Sequence, residues 1–325
     1  MASVNGPPVN GVEPVALESS WLSVTTLPAA GGIITNLVDR QSGRDWLWHN
    51  PHIAAETRGT HDDYGRYLDA GGWDEILLSI TADEIELPSG KRQAVPDHGD
   101  LVRRRWQRTD DGSESNRCAL TATGDHPRYE FSREVHLAET SPTMTIRYSL
   151  TNQDDYSWPM YWCAHALLAI EPGMLIDLPD AQPYRVDSAT GKLNPNERIR
   201  RWPDLETDDL GGIDLSESLS GKVGEGAFAA KFFVASPPNG VVQISTPDRN
   251  ETLTMRYDRS SLPWLGLWIN NRGWAADGRP PYFNLGLEPS TAPYDSVSEA
   301  VRNSAVPLIE PGETLQWLLT VDLSS

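Results

Sequence analysis

The feature that most constrains this chain is a succession of short alternating segments punctuated by turn residues. Runs at 101–108, 116–123, 129–137 and 144–151 are separated by Asp110-Asp111-Gly112, Gly124-Asp125-His126-Pro127 and Glu139-Thr140-Ser141-Pro142. An apolar residue at every second position puts one face of each run against a core, and Gly, Pro and Asp interrupt the runs where a chain must turn. Such spacing predicts an antiparallel sandwich or barrel. The same grammar opens the chain at 17–26 and 32–38 and resumes at 228–235, 241–245, 253–257, 265–269 and 315–323. The most apolar run, 158–170, carries a lone imidazole in Trp162-Cys163-Ala164-His165-Ala166.

Between these runs, residues 179–226 are acidic, rich in Pro and Gly and without periodicity, and read as an elaborated loop. Residues 296–302 read as the one short helix, 1–14 as a flexible lead-in, and 15–325 as a single domain. With 46 acidic against 27 basic residues and a net charge of -19, neither nucleic acid nor an anionic membrane is the expected partner. No apolar run approaches the ~20 residues of a membrane-spanning helix. The opening stretch has neither the basic start nor the apolar centre of an export signal, so a cytoplasmic protein is expected. Two cysteines, Cys118 and Cys163, make neither a disulfide framework nor a metal cage, and no metal or other cofactor is expected.

Twelve Trp against five Phe leave two readings open: indoles filling a large β core, or broad faces for the apolar side of sugar rings. One stretch delivers a carboxylate with purpose. In Tyr282-Phe-Asn-Leu-Gly-Leu-Glu288-Pro289, alternation places Asn284, Gly286 and Glu288 on one face, Gly286 leaves room beside the acid, and Pro289 is expected to stop the ladder. Upstream, Gly71-Gly72-Trp73-Asp74-Glu75 can bend sharply and present Trp73 and Asp74 at a cleft, while Pro96 and Gly99 bracket His98 in a constrained loop.

In this order, the glycine-rich Trp/Asp motif, His98, His165, Trp268 in Leu265-Gly-Leu-Trp-Ile-Asn270 and Glu288 together resemble the aldose 1-epimerase (galactose mutarotase-like) superfamily. The resemblance runs from about residue 15 onward and includes the Pro311-Gly312-Glu313 turn before the last strand. It implies an all-β fold, a large antiparallel β-supersandwich with a sugar in a groove on one sheet. It further implies His98 as a sugar-binding or polarising histidine, His165 as general acid to the ring oxygen, and Glu288 as general base to the anomeric hydroxyl. The implied ligand is a small-molecule carbohydrate, bound by a monomer or homodimer.

Mutarotases carry an Arg/Asn-rich segment where this chain has Gly71 to Glu75, so galactose or glucose specificity is not implied. Lys231 and Arg66 are candidates to meet an anionic sugar, with the solvated surface as their alternative. Two other functions fit the same groove: non-catalytic sugar binding, and hydrolysis or elimination of a glycoside by an Asp74–Glu288 pair held roughly 5 to 10 Å apart.

Overall fold

The computed structural model describes residues 13–55, 63–178, 184–189, 198–199, 204–205, 213–214, 227–248 and 250–325. Two large antiparallel sheets dominate. The first has ten strands in the order Val15–Glu18, Leu22–Leu27, Ile33–Asp39, Trp73–Leu77, Trp162–Ala169, Phe283–Ser290, Trp264–Asn271, Phe228–Ala235, Tyr184–Ala189 and Arg198–Ile199. The second has eight, in the order Leu175–Asp177, Val241–Ser245, Thr252–Tyr257, Thr314–Ser324, Thr143–Asn152, Arg128–Leu137, Arg117–Asp125 and Gln107–Arg108.

Their burial patterns differ, and the difference locates function. In the eight-stranded sheet burial alternates, so Arg128–Leu137 turns Tyr129, Phe131, Val135 and Leu137 inward and leaves Arg128, Glu130 in solvent. One face packs and the other is wet. The central strands of the ten-stranded sheet are buried on both faces, almost without interruption along Trp162–Ala169 and Phe283–Ser290. Their inner face meets the other sheet through apolar side chains. Their outer face carries Asp74, His165, Asn284 and Glu288, all buried. Polar side chains in such a place need partners or a ligand.

Between the sheets, a polar cluster is buried outright. Glu75 and Arg133 are both fully inaccessible and pair at 3.1 Å, Tyr148 donates its hydroxyl to the same Glu75 oxygen at 3.0 Å, and Arg133 also reaches Thr26 Oγ1 at 3.0 Å and the Gly32 carbonyl. Burial pushes the Glu75 carboxyl up to about 7 against the opposing pull of Arg133. Trp162, Tyr148 and Trp317 pack around this pair at ring separations of 4.8 to 5.5 Å. Much of the tryptophan excess therefore fills the core, with Trp46, Trp73, Trp158 and Trp162 almost wholly buried.

Several boundaries depart from the pattern in the sequence. The 17–26 run is two strands, because the Ser19 hydroxyl accepts from the amides of Trp21 and Leu22 and turns the chain there. The 101–108 run begins as a 3-10 turn at Leu101–Arg103, where Leu101 and Val102 are buried consecutively, and only Gln107–Arg108 is extended. Pro289 does not end its strand, which continues to Ser290 with Pro289 opposite Leu265. On the other side the ladder is registered at Ala166↔Leu287 and again at Cys163↔Ser290, so the proline sits where it owes no hydrogen bond. A second short helix, Tyr64–Tyr67, is capped by the Asp63 side chain, while Val297–Arg302 is capped by Ser296. The 179–226 connection contributes Tyr184–Ala189 to the ten-stranded sheet; Asp204–Leu205 pairs with Ile213–Asp214, and most of the rest lies outside the described residues.

Breaking the inter-sheet pair strands a buried charge, so Arg133→Met is expected to cost ~3–5 kcal/mol in urea-induced unfolding. The double variant Arg133→Met with Glu75→Leu should recover most of that loss.

Candidate active site

The outer face of the ten-stranded sheet holds a cavity of about 310 Å³. Its floor is laid down by register. Asp74 lies opposite His165 across one ladder, and Gly266 lies opposite Glu288 across another. Since Cys163 pairs with Ser290 and Ala166 with Leu287, His165 falls across from Glu288. Four side-chain positions from four neighbouring strands thus share one face.

Glu288 is completely buried and is the most elaborately partnered group there. Its Oε2 takes an ion-pair contact from Lys231 Nζ and the Cys163 thiol at 3.5 Å, while Oε1 has no hydrogen-bond partner and faces His165 Nε2 at 3.9 Å. Lys231 comes from Phe228–Ala235, two strands away, and crosses the intervening strand above Gly266. A Cβ at position 266 would stand 3.1 Å from Lys231 Cε and 3.2 Å from Glu288 Cβ, so a side chain there would crowd the pair. The same holds at Gly286 for the free oxygen: a Cβ at that position would stand 2.5 Å from Glu288 Oε1.

The electrostatics follow from this arrangement. Burial by itself would raise the Glu288 carboxyl, but Lys231, His165 and Cys163 more than offset it and hold it below the usual glutamate range. Burial also lowers His165 to about 4, with the nearby Glu288 charge opposing and His98 and Lys231 assisting. At neutral pH the site therefore carries an ionised Glu288 and a neutral His165. The imidazolium expected from the resemblance is not its resting state, because so enclosed an imidazole loses more hydration on protonation than one carboxylate returns.

Above this floor, Tyr64 organises the wall. Its hydroxyl donates to Asp74 at 2.6 Å, and its ring stacks on His98 at 3.8 Å and meets His165 edge-on. Asp97 fixes both partners, accepting from the Tyr64 amide and contacting His98 Nδ1, each at 2.9 Å. The opposite wall is aromatic: Trp268, Trp274 and Tyr282 line the cavity with edge contacts at 5.9 Å, and the Asn270 side chain holds the Trp274 turn through three backbone hydrogen bonds. Asn284 turns an unpartnered Oδ1 toward the same space.

The structure thus brings together Glu288, His165, His98, Trp268 and Lys231 along one cavity, with Asp74 behind Tyr64. Lys231 is buried, paired with Glu288 and 3.8 Å from Asp295, which leaves it committed before any ligand arrives. Trp73 turns the other way, into the core, since it alternates with Asp74 along the strand. Arg66 stands outside, half-exposed and paired to Asp277 at 2.7 Å. His61 and Asp62 lie outside the described residues. Tyr64, Trp274 and Asp295 were not marked by sequence pattern, whereas Asn284 stands on the face of Glu288 as its alternation predicts. Among the described residues no group of three His, Cys, Asp or Glu is arranged to hold a metal, and no helix is long and apolar enough to cross a membrane. A broader depression of about 600 Å³ lies on the other sheet, but its Glu134 and Arg147 pair with each other near solvent, and its buried Arg133 and Tyr148 are taken up by Glu75.

No protein-family model matches the sequence, and no curated protein matches it. Solved structures do. The Slr1438 protein of Synechocystis sp. covers 100% of this chain and 98% of its own at 15% identity, with a TM-score of 0.69. A putative aldose 1-epimerase from Escherichia coli covers 96% and 98% at 15% identity, with a TM-score of 0.66. The chain has the galactose mutarotase-like fold. A galactose mutarotase-like protein from Lactobacillus casei extends the comparison, covering 95% of this chain and 99% of its own at 14% identity, with a TM-score of 0.65. Within the mutarotase-like fold the cavity described above belongs to this chain's own residues.

Replacing Lys231 by Met removes the counter-charge and leaves the burial. The Glu288 carboxyl, followed by carbon-13 NMR, is then expected to titrate above the usual glutamate range instead of below it. Gly286→Ala, whose added Cβ would stand 2.5 Å from Glu288 Oε1 and 2.9 Å from Trp268 Cβ, is expected to displace the carboxylate and to lower the melting temperature.

Proposed function

We propose that this protein is carbohydrate-active and interconverts the anomers of an aldose by acid/base ring opening. One observation carries the reading: an ionised, immobilised Glu288 presents one free oxygen to a cavity floor, 3.9 Å from a buried imidazole, in a mutarotase-like fold. That separation is too long for a direct hydrogen bond, and a ligand hydroxyl placed between the two can contact both.

In this reading Glu288 Oε1 accepts the proton of the anomeric hydroxyl. The C1 to ring-oxygen bond opens as the ring oxygen gains a proton, rotation about C1–C2 follows, and the reverse steps close the other anomer. His165, neutral at rest, orients the reacting oxygens by hydrogen bonding. His98 has one ring nitrogen committed to Asp97, which leaves the other for a sugar hydroxyl. Trp268 and Trp274 offer faces for the ring's apolar side. Because Lys231 is already neutralised by Glu288, the cavity gives an anionic sugar no free cation from that residue, and a neutral aldose suits it better.

Anomer exchange followed by NMR over a panel of neutral and acidic aldoses tests the proposal. Acceleration above the spontaneous rate is expected for a neutral aldose, with Glu288→Gln slower by about 100- to 10,000-fold. The rate should fall on acidification as Glu288 takes a proton, with a midpoint below the usual glutamate range. Ligand-induced shifts without acceleration would instead assign a sugar-binding protein, and release of a free sugar from glycosides would assign a hydrolase.

A further inference from the structure

The cavity floor has two polar ends, and ring opening as described above uses only one of them. Along Phe283–Ser290 the positions on the cavity face are Asn284, Gly286 and Glu288. Gly286 lies opposite Trp268 on one side and Leu167 on the other, and a Cβ there would stand 2.9 Å from Trp268 Cβ and 3.4 Å from Leu167 Cδ2. The middle of the floor is therefore bare backbone between two apolar side chains, a place where the apolar side of a sugar ring can rest.

Asn284 stands at the far end. It is 1% exposed, lines the cavity, and has no hydrogen-bond partner at Oδ1. Directly across the ladder Asn270 is as deeply buried, but its amide is taken up by the backbone of Gly273 and Trp274 at 3.0 to 3.2 Å. A buried amide oxygen left without a donor costs free energy that a ligand hydroxyl would return. The spacing suits one ring. Glu288 Oε1 reaches back over Gly286, 2.5 Å from where a Cβ would be, so two residues, or roughly 7 Å, separate the base from Asn284 along the strand. A pyranose with its C1 hydroxyl on that oxygen turns C4, the ring atom opposite C1, toward Asn284.

We infer that Asn284 is the specificity-determining residue of this site, accepting a hydrogen bond from a free hydroxyl on C4 of the aldose whose anomeric hydroxyl Glu288 deprotonates. This rests on the ring-opening reading given above and narrows its substrate class to a neutral aldopyranose unsubstituted at C4. The wall at that end agrees. Trp274 and Tyr282 meet edge-on at 5.9 Å, the Asn50 side chain donates to the Tyr282 hydroxyl at 3.1 Å, and a Cβ on Gly65 of the Tyr64–Tyr67 helix would stand 3.0 Å from Trp274 Cη2. A second sugar linked through O4 would run into these side chains.

The test compares anomer exchange of D-glucose and D-galactose with that of their 3-deoxy analogues and of 4-deoxy-D-xylo-hexose, which lacks the C4 hydroxyl of both, in the wild type and in Asn284→Ala. Against the faster parent sugar, the wild type is expected to lose about 10- to 100-fold in kcat/KM on the 4-deoxy sugar, because the amide oxygen then stays buried and unpaired. Asn284→Ala should be slowed by a similar factor on the parent sugar and be unchanged on the 4-deoxy sugar. A merely structural asparagine would slow both alike, and that result overturns the inference. So does a larger loss with the 3-deoxy analogue, or exchange of maltose, a glucose carrying a second glucose on O4, at the rate of glucose itself. The wild-type comparison decides the matter if the variant does not fold. If neither parent sugar is exchanged, calorimetric binding of the same sugars takes its place: weaker binding of the 4-deoxy sugar upholds the inference, and equal binding, or none, overturns it. The ring-opening reading itself stands or falls on the wider panel of aldoses.

Discussion

The contact between Lys231 and Glu288 is the interaction on which the rest of the site depends. A carboxylate with no solvent exposure exists only if something returns the hydration it has lost, and here an ammonium two strands away does so at one of its oxygens. The other oxygen is left free as a result. A lysine nearer along the same strand could not hold this geometry, because neighbours in a strand point to opposite faces and the next residue on the same face is spaced along the strand axis. The sheet itself, by its register, is what aims the base.

That register has to be held from behind. The strand that presents Asp74 to the cavity presents Glu75 to the space between the sheets, where Arg133 and Tyr148 secure it. A slip of one residue would turn the strand over, placing Asp74 or Ile76 beside Arg133 and Trp73 or Glu75 in the cavity. Tandem glycines set the start of this strand: Gly71 and Gly72 both take left-handed backbone angles, with φ of 77° and 74°. A Cβ on Gly71 would stand 2.1 Å from the Trp48 carbonyl.

Most of the fold was legible because alternation and turn residues are local signals. The strands around Phe131, Ile146 and Leu319 emerge within a residue or two of their expected ends. The placement of Glu288, His165 and His98 along one cavity was also within reach, since each stands in a distinctive local context. What could not be read was what meets what. Lys231 sits in Phe228-Ala-Ala-Lys-Phe-Phe-Val, and a lone charge in an apolar run fits a snorkelling surface residue as well as a buried one; only the neighbouring strands decide. Arg66 and Trp73 resemble binding residues in isolation, and tertiary packing sends one to the surface and the other to the core.

One residue of the site has no chemistry of its own. Gly266 neither donates, accepts nor titrates, yet the path of the Lys231 side chain runs over it. Divergence in this fold can therefore crowd an intact base and its intact cation by enlarging a single neutral position. Inventories of reactive residues would score such a chain as fully equipped. In comparing distant relatives, the empty positions of the sheet carry as much information about competence as the charged ones.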